Sequence, residues 1–171
     1  ARLVPERRLS TQLNFYRGRG PEQWYEDVPA FASLRYVGVW PGIDIVFHER
    51  DGVVEYDVVV HPGADPLDLT LRCEGADSMR IDGGRLVVAT SIGECRFAPP
   101  ETFEVLTSGD RRLESDYALR GPDEFGFDVE GWSGSGDLVI DPGLAYSTLL
   151  GSLGADAAFC AKKTRSKTKT F

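Results

Sequence analysis

The chain has 171 residues, 42% of them hydrophobic, with 19 Lys plus Arg against 27 Asp plus Glu and a formal charge of −8. That length and apolar content suit one domain with a core of its own. The acidic balance argues against general affinity for nucleic acid or anionic membrane surfaces, and no run approaches the roughly 18 to 20 apolar residues of a membrane-spanning helix.

The chain opens on Ala1, and "ARLVPERRLS" contains no charged-then-apolar signal segment. It is therefore expected to be a fragment or a trimmed product, with residues 1–12 an N-terminal remnant ahead of the domain. Beyond them apolar residues alternate at period two, broken by Gly, Pro and Asp at intervals of about ten residues. The predicted strands are Gln12 to Tyr16, Ala30 to Val37, Ile43 to Glu49, Val53 to His61, Asp68 to Cys73, Ser78 to Asp82 and Arg85 to Thr90. Those that follow are Glu94 to Phe97, Thr102 to Thr107, Arg111 to Ser115, Tyr117 to Arg120, Phe125 to Glu130, Leu138 to Asp141 and Ala145 to Leu149. No segment sustains an i, i+3, i+4 apolar pattern, so little helix is expected. The predicted fold is all-β, an antiparallel β-sandwich built of hairpins over residues 13–150, followed by a divergent linker and basic tail over 151–171.

Two hairpins can be registered residue by residue. A two-residue turn at Asp51-Gly52, where both positions favour φ > 0, sets Arg50 opposite Val53, Phe47 opposite Tyr56, Ile45 opposite Val58 and Ile43 opposite Val60. That face is apolar; the other carries Asp44, Val46 and His48 against Val59, Asp57 and Glu55, and is expected to be open to solvent. Gly83-Gly84 turns a second hairpin, with Met79 opposite Val88 and Ile81 opposite Leu86 on the inner side, and Arg80, Asp82, Arg85 and Val87 on the outer.

The register places His48 across from Glu55 and diagonal to Asp57. One histidine with two carboxylates could hold a divalent metal or act as an acid/base pair in a hydrolase; the plainer reading is cross-strand charge pairing. His61, the other histidine, falls at the far end of the strand. "HERDG" has Gly52 where a zincin needs its second His, and Gly134-Ser135 breaks the nucleophile elbow in "GWSGSG". No catalytic residue, cofactor or metal site is assigned. Trp24, Trp40 and Trp132 could stack on sugar rings, as in a carbohydrate-binding module, or close the ends of the sandwich by packing. Cys73 and Cys95 fall in phase with apolar neighbours and read as small buried hydrophobes, a disulfide between them being the alternative.

All four lysines lie in the last ten residues with Arg165, giving that tail a charge of +5, whereas residues 1–161 set fourteen arginines against all 27 acids, or −13. The switch reads as a disordered segment of different origin, a frameshifted or artificially ended reading frame.

Residues Leu13 to Pro66, with Asn14-Phe15-Tyr16, Trp24, Val28-Pro29, Val39-Trp40-Pro41-Gly42-Ile43-Asp44, Glu55-Tyr56-Asp57 and Pro62-Gly63-Ala64-Asp65-Pro66, together with "LRCEGAD" and "LVIDPGLAYSTLLGSLGAD", form a recognisable set. It resembles the bacterial domain of unknown function that precedes SBBP, or seven-bladed β-propeller, repeats in large secreted proteins. The resemblance implies an exported β-sandwich-like module, extracellular or on the cell surface, with propeller repeats following soon after Leu150 as its partner. It transfers no catalytic residue. The module is expected to touch that propeller through its Leu138 to Leu149 end and to be non-catalytic.

Overall fold

In the computed structural model, residues 1–50, 52–147 and 162–163 are described. Strands dominate them, and the helical content is two single 3-10 turns, Pro21–Gln23 and Pro66–Asp68. No helix among the described residues is long and apolar enough to cross a membrane.

A seven-stranded antiparallel sheet forms one layer. Its order is β1 (Arg2–Tyr16), β2 (Trp24–Trp40), β3 (Ile43–Arg50), β4 (Val53–Val60), β13 (Asp137–Asp141), β9 (Glu101–Val105) and β10 (Arg111–Leu113). The facing layer comprises two four-stranded sheets. One runs β11 (Ser115–Leu119), β12 (Glu124–Val129), β5 (Leu71–Arg72) and β15 (Lys162–Lys163). The other runs β14 (Leu144–Ser147), β8 (Gly93–Phe97), β7 (Arg85–Thr90) and β6 (Ser78–Asp82). Ile43, Val58, Val60, Leu138 and Ile140 from the large sheet, Leu71, Phe125 and Phe127 from the first small one, and Leu86 and Val88 from the second share one buried cluster. The chain is a β-sandwich.

Turn chemistry sets the register. All eight β3–β4 pairs, from Ile43 with Val60 to Arg50 with Val53, fall as the two-residue turn at Asp51-Gly52 requires, and Gly52 has φ +81°. Gly83 and Gly84 both have positive φ, and Met79 faces Val88 as expected. Pro41-Gly42 joins β2 to β3 in the same two-residue manner. Gly42 is held at φ +69° where an added Cβ would meet Ala64 Cβ at 2.8 Å, so the two motifs Pro41–Asp44 and Pro62–Pro66 pack as one corner.

The structure corrects several expectations. The first strand starts at Arg2 and the second spans Trp24–Trp40, so β1 and β2 form a hairpin longer than predicted. Residues 24–32 of β2 pair only with β1 and make a two-stranded arm about 30 Å long. The Asp68 to Cys73 strand shrinks to Leu71–Arg72, because Asp65 accepts a hydrogen bond from Leu67 N and starts a 3-10 turn there. The outer face of β3–β4 is not open: Val46, Val59 and Asp44 are buried, as is the neighbouring Ser33 of β2, since these strands lie in the middle of a seven-stranded sheet and Arg35 of β2 reaches over to Asp44. On the second hairpin, outward Val87 is likewise buried, while inward Ile81 is exposed near the turn. Cys73 and Cys95 are buried, and no disulfide joins the two. The basic tail falls outside the described residues apart from Lys162–Lys163, which pair with β5.

Candidate functional site

The outer face of the large sheet carries two ionic clusters. In the first, His48 faces Glu55 in register, but its Nε2 reaches diagonally to Asp57 Oδ2 at 3.2 Å. Arg50, at the strand end, lies 2.9 Å from Asp141 Oδ2 and 3.5 Å from Glu55 Oε2. Burial pushes the Asp57 carboxyl up, against the pull of His48, while the hydrogen bond to Asp141 raises Arg50. Arg50 thus sits among the carboxylates where a bound cation would have to go. Among the described residues no group of three or more His, Cys, Asp or Glu is arranged to hold a metal.

The second cluster is a row of alternating charge that crosses four strands, with His61, the residue just after β4, as one link. Arg35 Nε lies 2.7 Å from Glu6 Oε1 and its Nη1 3.4 Å from Asp44 Oδ2; Asp44 Oδ2 lies 3.1 Å from His61 Nε2, and His61 Nδ1 lies 2.9 Å from Asp137 Oδ1. Asp44 also accepts from Gly38 N, at 2.8 Å, which pins the bulge that β2 makes between Tyr36 and Trp40 with Gly38 at φ +64°. The hydrogen bond to Asp137, outweighing desolvation and joined by Asp44, raises His61. Asp44 is depressed: its burial is outweighed by Gly38 N–H, His61 and Arg35. This row was not assigned from the sequence, although the register signals it, because His61 lies one diagonal step beyond Val59, the partner of Asp44.

Inside the sandwich, Glu104 has no solvent exposure. Its carboxylate accepts from Ser133 Oγ, from Ser135 N and Gly136 N at 3.3 and 3.4 Å, and from Arg111. These bonds, the Ser133 hydroxyl foremost, hold its pKa down at about 2. The glycine- and serine-rich loop is therefore tied to the core by a buried anion. Trp132 donates from Nε1 to Gly136 O at 3.1 Å and packs against the core. Trp40 is buried. Trp24, by contrast, is 41% exposed at the arm tip, edge-on to Tyr16 with ring centroids 5.4 Å apart, and Tyr25 beside it is 67% exposed.

Residues 1–143 match DUF7948, a domain of unknown function. The chain belongs to the DUF7948 family. No curated protein matches it significantly, nor does any solved structure. The DUF7948 match takes in every strand from β1 to β13, hence both ionic clusters, the Gly42–Ala64 corner and the Glu104 loop.

Proposed function

We propose that this DUF7948 chain is a non-catalytic module of a secreted or cell-surface bacterial protein, packing against or presenting an adjacent β-propeller. The observation that carries the reading is the closure of the ionic groups on themselves. Of the residues that could have done acid/base or metal chemistry, His48 pairs with Asp57 and Glu55 lies beside Arg50 on the outer sheet face. Leu138 and Ile140 are buried in the core, so a contact over the Leu138 to Leu149 end would not use those two side chains. β14 is an edge strand of its sheet, and a following domain would abut that edge.

The test compares this chain with a longer one carrying the propeller repeats. The longer chain should unfold at a higher temperature, and amide exchange in β14 should slow; equal unfolding and equal exchange overturn the reading.

A second reading, carbohydrate binding, is favoured by exposed Trp24 and Tyr25 rather than by Trp40 or Trp132. Binding on a glycan array that Trp24→Ala abolishes would support it, and silence across the array would remove it.

A further inference from the structure

The arm and the body use their arginines differently. Eight of the nine arginines in residues 24–161 form an ion pair with a described carboxylate. Among the described residues none of the five in residues 1–23 does so: Arg2, Arg7, Arg8, Arg17 and Arg19 keep their charge open to a ligand. Of the four acids in residues 1–32, Glu6 is taken by Arg35, and Glu26 accepts a hydrogen bond from the Tyr16 hydroxyl.

At the tip these guanidiniums meet aromatic rings. Phe15 and Tyr25 face one another on one side of the ribbon, and Tyr16 and Trp24, edge-on, on the other; all four are exposed. Arg17 and Arg19 follow Tyr16 in the exposed turn, alternating with Gly18 and Gly20. An aromatic ring offers an apolar face for stacking, and a guanidinium offers a planar fork for a carboxylate or sulfate. The tip is rich in rings and poor in charge, four rings to two guanidiniums. A nucleic acid carries a phosphate on every nucleotide and draws its affinity from the neutralisation of many of them. A saccharide with an acid group on some of its rings suits this ratio better.

We propose that the arm tip binds an acidic saccharide, whose rings stack on Trp24 and Tyr25 and whose carboxylates or sulfates are held by Arg17 and Arg19. This deepens the carbohydrate reading, on which it rests, by fixing the charge of the ligand. The acidic body does not oppose it, because the arm is about 30 Å long and the body's field decays over a Debye length of about 8 Å at physiological salt.

Titration calorimetry of the full chain tests this with oligogalacturonate, its fully methyl-esterified form, sulfated dextran and a single-stranded oligonucleotide. Oligogalacturonate or sulfated dextran should bind more tightly than the ester and the oligonucleotide. Arg17→Gln with Arg19→Gln should lower the affinity for the acidic saccharide about tenfold and leave the ester unaffected, with an unchanged circular dichroism spectrum because both side chains are exposed in the turn. Arg85→Gln with Arg112→Gln removes the same charge from exposed positions on the body and should change neither. Equal binding of acid and ester overturns the acidic ligand and leaves the carbohydrate reading standing, whereas silence with every saccharide removes both. Tightest binding to the oligonucleotide, or an equal loss in the body double variant, also overturns the proposal.

Discussion

His61 gives the chain a pH-dependent clasp whose sign and size follow from its surroundings. The raised histidine contributes stability that is complete below its unfolded pKa of 6.5 and lost as pH rises through the folded value. The depressed Asp44 contributes stability present above 3.8 and lost as pH falls through its folded value. The row is therefore whole between pH 3.8 and 6.5. The groups facing His61 are Asp44 from β3 and Asp137 from β13; Arg35 from β2 and Glu6 from β1 follow one and two steps along. His61 and Asp137 are 39% and 42% exposed, so that half of the clasp is worth only a few tenths of a kcal/mol. Asp44 is 6% exposed, and its half contributes more. Together they amount to about 1 kcal/mol, or roughly 2–4 °C in a chain of this length. Between pH 6 and pH 8.5 the wild-type melting temperature should fall by that much more than that of His61→Asn, measured by calorimetry in matched buffers. Identical pH slopes in the two proteins would refute the clasp, since everything else that titrates is common to both.

Glu104→Ala removes the acceptor that Ser133, Ser135, Gly136 and Arg111 share, leaving Arg111 only Gly131 O and Ser135 N only Ser133 Oγ among the described acceptors, and limited proteolysis should cut the 131–136 loop faster than in wild type; because its folded pKa is depressed to about 2, wild-type Glu104 keeps its contribution above the unfolded value and loses it only as pH falls toward 2. Gly38→Ala meets nothing within 4 Å and should cost about 1 kcal/mol for its positive φ alone, whereas Gly42→Ala adds the clash with Ala64 and should cost at least twice that in urea denaturation; equal costs would argue against the packed corner. Ile43→Ala, at a fully buried position in the shared core, should cost roughly 2–5 kcal/mol by the same assay.

Much of this fold is legible where a two-residue turn fixes the pairing. Asp51-Gly52 and Gly83-Gly84 leave one register each, and the period-two alternation on either side then assigns every side chain to a face. Burial is less legible than facing. Val46 and Val87 point outward as the alternation demands and are buried all the same, because strand position within the sheet, which depends on distant segments, decides whether an outer face sees water. Glu104 is the clearest failure of local pattern. In Thr102 to Val105 the apolar residues Phe103 and Val105 face outward, and the polar Thr102 and Glu104 are fully buried. Nothing within that strand announces the inversion; it becomes favourable only because Ser115 waits for Thr102, and Arg111 and the 133–136 backbone wait for Glu104. The length of the arm is not legible in the sequence, because a ribbon exposed on both sides gives alternation no buried face to mark, and Arg7, Arg8, Glu26 and Asp27 interrupt the pattern along it.

The absence of lysine from residues 1–161 has a geometric counterpart. Arg35 serves Glu6 through Nε and Asp44 through Nη1, and Arg72 serves Asp123 through Nε and Glu124 through Nη2. Arg50 bridges Asp141 and Glu55, and Arg111 reaches both Glu104 and Gly131 O. Each joins acceptors on different strands or loops, or on the two residues of one turn. Arg35 and Arg72 do this from two nitrogens of a rigid planar fork, which an ammonium lacks, whereas Arg50 and Arg111 reach both acceptors from a single Nη. A body this acidic therefore gains more from Arg35 and Arg72 than their charge alone supplies. Arg35→Lys isolates that difference, since it preserves net charge while one of the two contacts must lengthen. With Arg35 half-buried and Asp44 nearly closed off from solvent, the lost contact should cost about 1 kcal/mol in urea denaturation. Combining Arg35→Lys with Glu6→Gln separates the two arms of the fork. A coupling near zero would place the lost contact on the Asp44 side, and a lysine variant as stable as wild type would show that charge alone is what the sheet requires.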